Sequence, residues 1–160
     1  MVKLTVISVG KMKEKYFLEA IGEYEKRLKR YAQLSLVELK DEPTPENPTD
    51  REKEVILKKE GERIKEKIPQ GSYIISLCVE GKQLSSEELS ELISKTTLNL
   101  SGSITLIIGG SLGLADEIKK LSDFKLSFSK MTFPHRLMRV ILLEQLYRAF
   151  TISEGKTYHK

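Results

Sequence analysis

Cysteine is almost absent from this chain of 160 residues, since Cys78 is the only one. A single cysteine cannot form an internal disulfide, and Cys78 stands in the apolar run YIISLCV, where a buried, unreactive strand residue is expected. Long apolar segments are missing as well: the N-terminal run is too short for a signal peptide, and no stretch reaches membrane length. These absences predict a protein of the reducing cytoplasm that is neither secreted nor inserted into a membrane.

Histidine is also scarce, and several familiar ligand motifs are missing. The two histidines, His135 and His159, have no carboxylate at metal-ligand spacing, so the sequence predicts no metal site. No glycine loop is followed by Lys-Ser or Lys-Thr, which excludes P-loop chemistry. The loop GGSLG (residues 109–113) departs from the dinucleotide pattern, and the next predicted strand ends in Ser129 and Lys130 rather than in an acidic residue. NAD binding is therefore a weak interpretation.

Length and charge limit the number of domains and the kinds of partner that the sequence allows. With 39% hydrophobic and 31% charged residues, the chain is long enough for one compact domain, residues 1–160, and short for two. The formal net charge of +4 permits an anionic partner such as RNA without requiring one.

The hydrophobic periodicity predicts an alternation of strands and helices. In chain order, the predicted segments are a strand at Lys3–Val9, a helix at Glu14–Arg30, a strand at Gln33–Leu39, an exposed proline-rich loop DEPTPENPTD, a charged helix from the capping box of Thr49 and Glu52 to about Ile68, a strand from Tyr73 closed by a turn at Gly81, a helix from the capping box of Ser85 and Glu88 to about Thr97, the strand SITLIIGG, a short helix at Ala115–Leu121, the strand FKLSFS, and a long helix from His135 to about Phe150. This order predicts an α/β fold with a mainly parallel sheet and helices on both faces.

Three strand ends are candidates for a ligand site, because open α/β sheets bind ligands at the carboxyl ends of their strands. They are LCVEGK, IIGGSLG and SFSKMTF. The glycines allow the backbone to approach a ligand, although such a loop also serves merely to connect a strand to a helix. The pattern favours a cofactor held mostly by backbone groups, with its adenine in an apolar slot of Leu77, Ile108 and Met131.

The segments IIGGSLGL, LSFSKMTFPHRLMRVILLEQLYRAF and GKTYHK, together with GKMKEKYFLEAIGEYEKRL near the start, resemble the RlmH family. These are SPOUT-class methyltransferases that modify a pseudouridine of 23S rRNA. The resemblance runs through essentially the whole chain and is most specific in the C-terminal third. It implies a C-terminal trefoil knot, the cofactor S-adenosyl-L-methionine, a homodimer, and a substrate in the large ribosomal subunit or the whole ribosome. Carried over by motif, the cofactor-binding residues are Leu77, Gly109, Phe128, Ser129, Lys130, Met131, Thr132 and Phe133.

The last predicted helix is apolar around most of its circumference. A helix of this kind is either buried deep in the core of a monomer or shared with a second subunit, and the second interpretation supports a dimer independently of the family. Pro134 suits a helix start, and His135 is expected to be a capping or packing residue at least as much as a chemical one.

The polar tail GKTYHK brings together an aromatic ring, an imidazole and a cation, although a frayed end is the simpler interpretation. In the family, the tail is thought to complete the partner subunit's active site. We therefore expect His159 to serve as a base or to orient the acceptor, Tyr158 to stack on a base, and Arg136, Arg139 or Lys160 to hold phosphates.

Two other functions stay open. One is a non-catalytic RNA- or ribosome-binding module of the same fold. The other is a different nucleotide-using α/β enzyme, which the missing phosphate and ribose motifs weaken.

Overall fold

The computed structural model describes residues 1–100 and 102–160, and its elements follow the predicted order. They are β1 (Val2–Val9), α1 (Lys15–Leu28), β2 (Ala32–Leu39), α2 (Asp50–Lys67), β3 (Tyr73–Gln83), α3 (Ser86–Asn99), β4 (Ser103–Ile108), α4 (Asp116–Leu121), β5 (Phe124–Ser127) and α5 (His135–Ser153). No helix in the described part of the chain combines the length and hydropathy needed to cross a lipid bilayer.

The five strands of this part of the chain form one sheet in the order β2-β1-β4-β3-β5, and every neighbouring pair is parallel. The predicted parallel α/β sheet is therefore confirmed. Because parallel strands all point the same way, their carboxyl ends, and the loops that follow them, lie along a single edge.

Helices cover both faces of the sheet, because alternate residues of the central strands point to opposite sides. On one face, Leu4 and Leu106 belong to a hydrophobic cluster with residues of α1, α3 and α5. On the other face, Ile7 and Ile107 pack with residues of α2 and α4. Helix α2 contributes only a narrow buried stripe, as its charged composition predicts.

Both predicted capping boxes are present. The Thr49 hydroxyl accepts a hydrogen bond from the Glu52 backbone, and Ser85 does the same for Glu88, with each glutamate reaching back to the cap backbone. These reciprocal bonds satisfy amide groups that the first turn of a helix leaves without partners, so the starts of α2 and α3 are fixed by local sequence.

The predicted turn at Gly81 is wrong, because β3 continues through this residue to Gln83. The pairing of β3 with β5 shifts register, so that Leu77 and Lys82 both pair with Leu126. At Gly81 a Cβ atom would lie 2.7 Å from the Lys125 carbonyl oxygen, which means that only glycine lets β5 approach this closely. The glycine marks a bulge within a strand.

The trefoil knot implied by the resemblance stays a prediction.

Candidate functional site

A cavity of about 590 Å³ opens at the carboxyl edge of the sheet. Its walls come from the end of β3, the loop that follows β4, and the segment between β5 and α5. These are the three strand ends that the sequence singled out, and the fold brings them together around one space.

The loop after β4 is closed on itself by its glycines. The Gly113 amide donates to the Gly110 carbonyl over 3.0 Å, and Gly113 has a φ of 80°. At Gly109 a Cβ atom would lie 2.3 Å from the Gly113 carbonyl oxygen. Glycine is therefore required at position 109 for the loop to close, whether or not this residue also contacts a ligand.

The segment between β5 and α5 is held by its own short hydrogen bonds. The Ser127 hydroxyl donates to the Ser129 carbonyl over 2.9 Å, and the Met131 amide donates to the Ser129 hydroxyl over 3.0 Å. The chain then enters α5, where Pro134 is the N-cap residue. Short-range polar bonds thus shape this wall of the cavity.

Seven of the eight residues predicted to bind a cofactor line the cavity, and Lys130 does not. The seven are Leu77, Gly109, Phe128, Ser129, Met131, Thr132 and Phe133. Lys130 is exposed and contributes no lining surface, so a side-chain contact from this residue is not supported by the fold. The slot residues Leu77, Ile108 and Met131 are all present, with Met131 at the rim, 73% exposed.

Two side chains that the sequence did not assign to the cofactor site, Cys78 and His135, are among those that line the cavity. Cys78 is only partly buried there, and this partial burial raises the pKa of its thiol, which keeps it protonated. His135 is half-buried at the start of α5, and desolvation, followed by the cations Arg139 and Arg136, lowers its pKa. The imidazole of His135 is therefore neutral at neutral pH. The sequence signal that could have placed His135 at the cavity is its position directly after the segment SKMTFP, which forms one wall.

The cavity carries little net charge. Its charged lining residues are Glu80 and Lys119, which form an ion pair, and the Lys119 ammonium lowers the pKa of the Glu80 carboxyl. No cluster of free cations is available for a phosphate among these lining residues. Apolar walls with main-chain polar groups therefore suit a nucleoside-type ligand without phosphates.

Arg139 is placed inside the fold, against the prediction that it holds an RNA phosphate. The residue is 4% exposed, and the guanidinium donates to Glu38 over 2.9 Å and to the Val9 carbonyl over 3.0 Å. It also donates to the Gly10 carbonyl. A side chain committed to these buried acceptors is not free for RNA. Arg136, by contrast, is partly exposed and pairs with Glu14.

The C-terminal tail lies far from the cavity of its own chain. The Tyr158 hydroxyl donates to Glu144 over 3.1 Å, and the Arg148 guanidinium lies 4.7 Å from the centre of the Tyr158 ring. Glu144 and Arg148 follow His135, at the cavity, by 9 and 13 residues in α5, so the tail contacts lie roughly 14–20 Å further along the helix at about 1.5 Å per residue. Neither Tyr158 nor His159 lines the cavity, and Lys160 is exposed.

Both ring nitrogens of His159 are engaged. Nε2 lies 2.8 Å from a Glu87 carboxylate oxygen, and Nδ1 lies 3.3 Å from an Arg148 guanidinium nitrogen. Because a guanidinium only donates, this geometry assigns Nδ1 as the acceptor and Nε2 as the donor. The imidazole is held in one orientation between α3 and α5.

We expect the tail contacts to weaken at high pH. Burial and the Glu144 carboxylate raise the pKa of Tyr158 to about 12, above the ordinary tyrosine value of 10.0. The stability that the folded protein gains from keeping Tyr158 protonated is fully present below pH 10.0 and is lost as the pH rises through about 12. Ultraviolet titration should show a tyrosine ionising near this upper value, and the step should disappear in Tyr158→Phe but not in Tyr16→Phe, which removes an exposed ring. A Tyr158→Phe titration identical to that of the unmodified chain would contradict this assignment.

Among the residues that the structure describes, no group of histidine, cysteine, aspartate or glutamate side chains is arranged to hold a metal ion.

A parallel sheet with an apolar, backbone-lined cavity at its strand ends defines an α/β protein of the kind that holds small ligands at that edge. Residues 2–159 match the family model described as "Predicted SPOUT methyltransferase". The chain is 56% identical over 158 residues to a protein of Bifidobacterium adolescentis named "Ribosomal RNA large subunit methyltransferase H", with 99% of each chain covered. A protein of the same name from Clostridium novyi is 54% identical over 157 residues, which cover 98% of this chain and 99% of the relative. The chain therefore belongs to the SPOUT methyltransferase family and, within it, to the RlmH group.

Comparison with solved structures supports the fold alone. A probable methylase family protein from Haemophilus influenzae matches with a TM-score of 0.52 and 13% identity, covering 99% of this chain and 70% of that one.

Proposed function

We propose that this protein is an S-adenosyl-L-methionine-dependent methyltransferase that acts on N3 of a pseudouridine in 23S rRNA. The observation that carries the proposal is the convergence of three strand ends on one low-charge cavity, in a chain 56% identical to a protein named as a ribosomal RNA methyltransferase. When bound, S-adenosyl-L-methionine supplies an electrophilic methyl group on a sulfonium centre.

The cavity residues fit this methyl donor. Leu77, Ile108 and Met131 offer an apolar slot of the kind that an adenine ring occupies. The backbone of the GGSLG loop and of residues 127–133 supplies donors and acceptors for the polar parts. Since the Glu80–Lys119 pair leaves no positive excess, a cationic ligand meets no repulsion.

Alignment should dominate the chemistry, because methyl transfer is an in-line displacement that needs no covalent enzyme intermediate. The acceptor nitrogen N3 carries a proton that must be removed, so a proton acceptor or an environment favouring the deprotonated ring is needed. In the proposed mechanism, Tyr158 stacks on a base and His159 accepts the proton or orients the acceptor. Since both His159 ring nitrogens are engaged with Glu87 and Arg148, the orienting role is favoured.

The proposed enzyme is a homodimer in which the tail of one subunit acts at the cavity of its partner. Two observations support this arrangement. The tail lies at the opposite end of α5 from the cavity of its own chain. Three apolar residues of α5 that are only partly buried, Leu137, Val140 and Ile141, suit a contact with a second subunit.

The substrate is proposed to be an assembled particle. The 160 residues carry a net charge of only +4, which offers few electrostatic contacts to a lone RNA, so shape supplied by the large subunit or the whole ribosome is expected to contribute. Arg136 and Lys160 are the proposed phosphate contacts.

The direct test is transfer of a labelled methyl group to assembled ribosomes, isolated large subunits and protein-free 23S rRNA, followed by mapping of the modified nucleotide. We expect labelling at N3 of one pseudouridine, fastest on an assembled particle. Equal rates on protein-free RNA would contradict the substrate proposal. Donor binding without any methyl transfer would instead favour a non-catalytic ribosome-binding module.

Replacing His159 with alanine should lower the single-turnover rate on ribosomes by about 100-fold, the loss that misplacing a reacting group by roughly 1 Å can cause. Donor affinity, measured by calorimetry, should change less than threefold, because the apolar and backbone groups of the cavity, rather than His159, are proposed to hold the donor. Thr157→Ala is the matched control, since it alters an exposed residue of the same tail. An unchanged rate for His159→Ala at saturating substrate would remove His159 from the mechanism.

A further inference from the structure

Helix α2 contains a buried carboxylate that the proposed mechanism does not use. Glu60 is 4% exposed, although α2 is highly charged and mostly solvated. Charged side chains are seldom buried to this extent unless partner groups compensate them. The position of Glu60 therefore calls for a physical reason.

The Glu60 carboxylate lies against the loop that forms one wall of the cavity. A Cβ atom added at Gly110 would lie 3.5 Å from Oε1 of Glu60 and 3.7 Å from Oε2. The Cγ1 atom of Val9 would lie 3.3 Å from the same Cβ position. Val9 of β1 and the carboxylate therefore both back the face of Gly110 that a side chain would occupy.

A hydrogen bond and close packing fix the carboxylate itself. Its Oε2 atom accepts from the Glu42 amide over 2.9 Å, which links α2 to the chain that leaves β2. The next residue, Gly61, brings α2 so close to α4 that a Cβ atom there would lie 3.5 Å from both Ala115 and Ile118. Helix α2 cannot move relative to the end of the glycine loop without breaking this packing.

We propose that Glu60 is a positioning residue that holds the GGSLG loop, from behind the cavity, in the conformation that binds the methyl donor. The identity of the donor rests on the proposed function, whereas the support of the loop does not. Glu60 acts through Gly110 and the Glu42 amide and does not line the cavity.

The proposed positioning role of Glu60 depends on the length of its side chain more than on its charge. Burial raises the pKa of Glu60, and the nearby Asp41 and Glu42 carboxylates add to the rise, while the Glu42 amide and Arg63 oppose it. The hydrogen bond from the Glu42 amide needs only an acceptor oxygen, which a glutamine side chain also provides.

Two substitutions separate the effect of side-chain length from that of charge, and both avoid the larger cavity that alanine would leave. Glu60→Gln keeps the length and an acceptor oxygen and removes the charge. Glu60→Asp keeps the carboxylate and withdraws it by one methylene from Gly110 and Glu42. Glu62→Asp is the matched control, because it makes the same change on an exposed residue of the same helix.

Hydrogen exchange of residues 109–114 in the donor-free protein is the first readout, and calorimetry with S-adenosyl-L-methionine is the second. We expect Glu60→Asp to speed exchange in the loop and to weaken donor binding at least tenfold, with Glu60→Gln and Glu62→Asp within threefold of the unmodified chain. In methylation assays, Glu60→Asp should raise KM for the donor while kcat changes less than threefold.

Unchanged loop exchange and donor affinity in Glu60→Asp would overturn the proposal, as would a loss in Glu60→Gln equal to that in Glu60→Asp. If the unmodified chain fails to bind S-adenosyl-L-methionine, the proposed function fails. Faster loop exchange in Glu60→Asp would still support the positioning role in that case.

Discussion

Replacing Gly109 with alanine should greatly weaken donor binding. The added Cβ atom would lie 2.3 Å from the Gly113 carbonyl oxygen and 2.4 Å from its carbon, both of them backbone atoms. No rotation of a flexible side chain relieves such a clash, so the GGSLG loop must open. Because this loop forms one wall of the cavity, we expect the affinity for S-adenosyl-L-methionine to fall by about 100-fold or more, a loss near 3 kcal/mol of binding free energy.

A second glycine provides the control for this substitution. At Gly22, in α1, an added Cβ atom meets nothing within 4 Å. Glycine in a helix interior is destabilising by roughly 0.5–1 kcal/mol relative to alanine, so Gly22→Ala should raise the melting temperature slightly and leave calorimetric donor binding intact. Wild-type affinity in a folded Gly109→Ala protein would show that the loop does not hold the donor.

Local sequence signals were sufficient for most of the fold. The two capping boxes begin helices where they were expected, because each depends on residues three positions apart. The parallel sheet followed from the alternation of apolar strands and amphipathic helices. The turn predicted at Gly81 was wrong because the reason for this glycine is long-range: it accommodates the backbone of β5, which is more than 40 residues further along the chain.

The candidate site was predictable in outline for a similar reason. Parallel strands bring their carboxyl ends to one edge, so three strand-end motifs indicated one cavity. The burial of Glu60 and Arg139 was not predictable, since burial of a charged residue depends on neighbours supplied by distant segments. The sequence placed Glu60 in a charged helix and offered Arg139 as a phosphate contact, whereas the fold buries both against backbone groups of other segments.

Replacing Arg139 with alanine should destabilise the fold rather than weaken RNA binding alone. The substitution leaves the Val9 and Gly10 carbonyls without their donor and opens a void beneath α5. The Glu38 carboxylate loses a partner as well, but its side chain is 43% exposed and water replaces part of that contact. From the lost hydrogen bonds and the void, we expect the free energy of unfolding to fall by about 2–4 kcal/mol.

Urea unfolding followed by circular dichroism measures this loss directly. Arg30→Ala is the control, because it removes the same charge from an exposed position just after α1 and should change the free energy of unfolding by no more than about 0.5 kcal/mol. An Arg139→Ala protein with unchanged stability and weaker, less salt-dependent ribosome binding would restore the phosphate-contact role. A stability loss with the salt dependence of binding retained would support the structural role, in which the guanidinium ties the start of α5 to the carboxyl ends of β1 and β2.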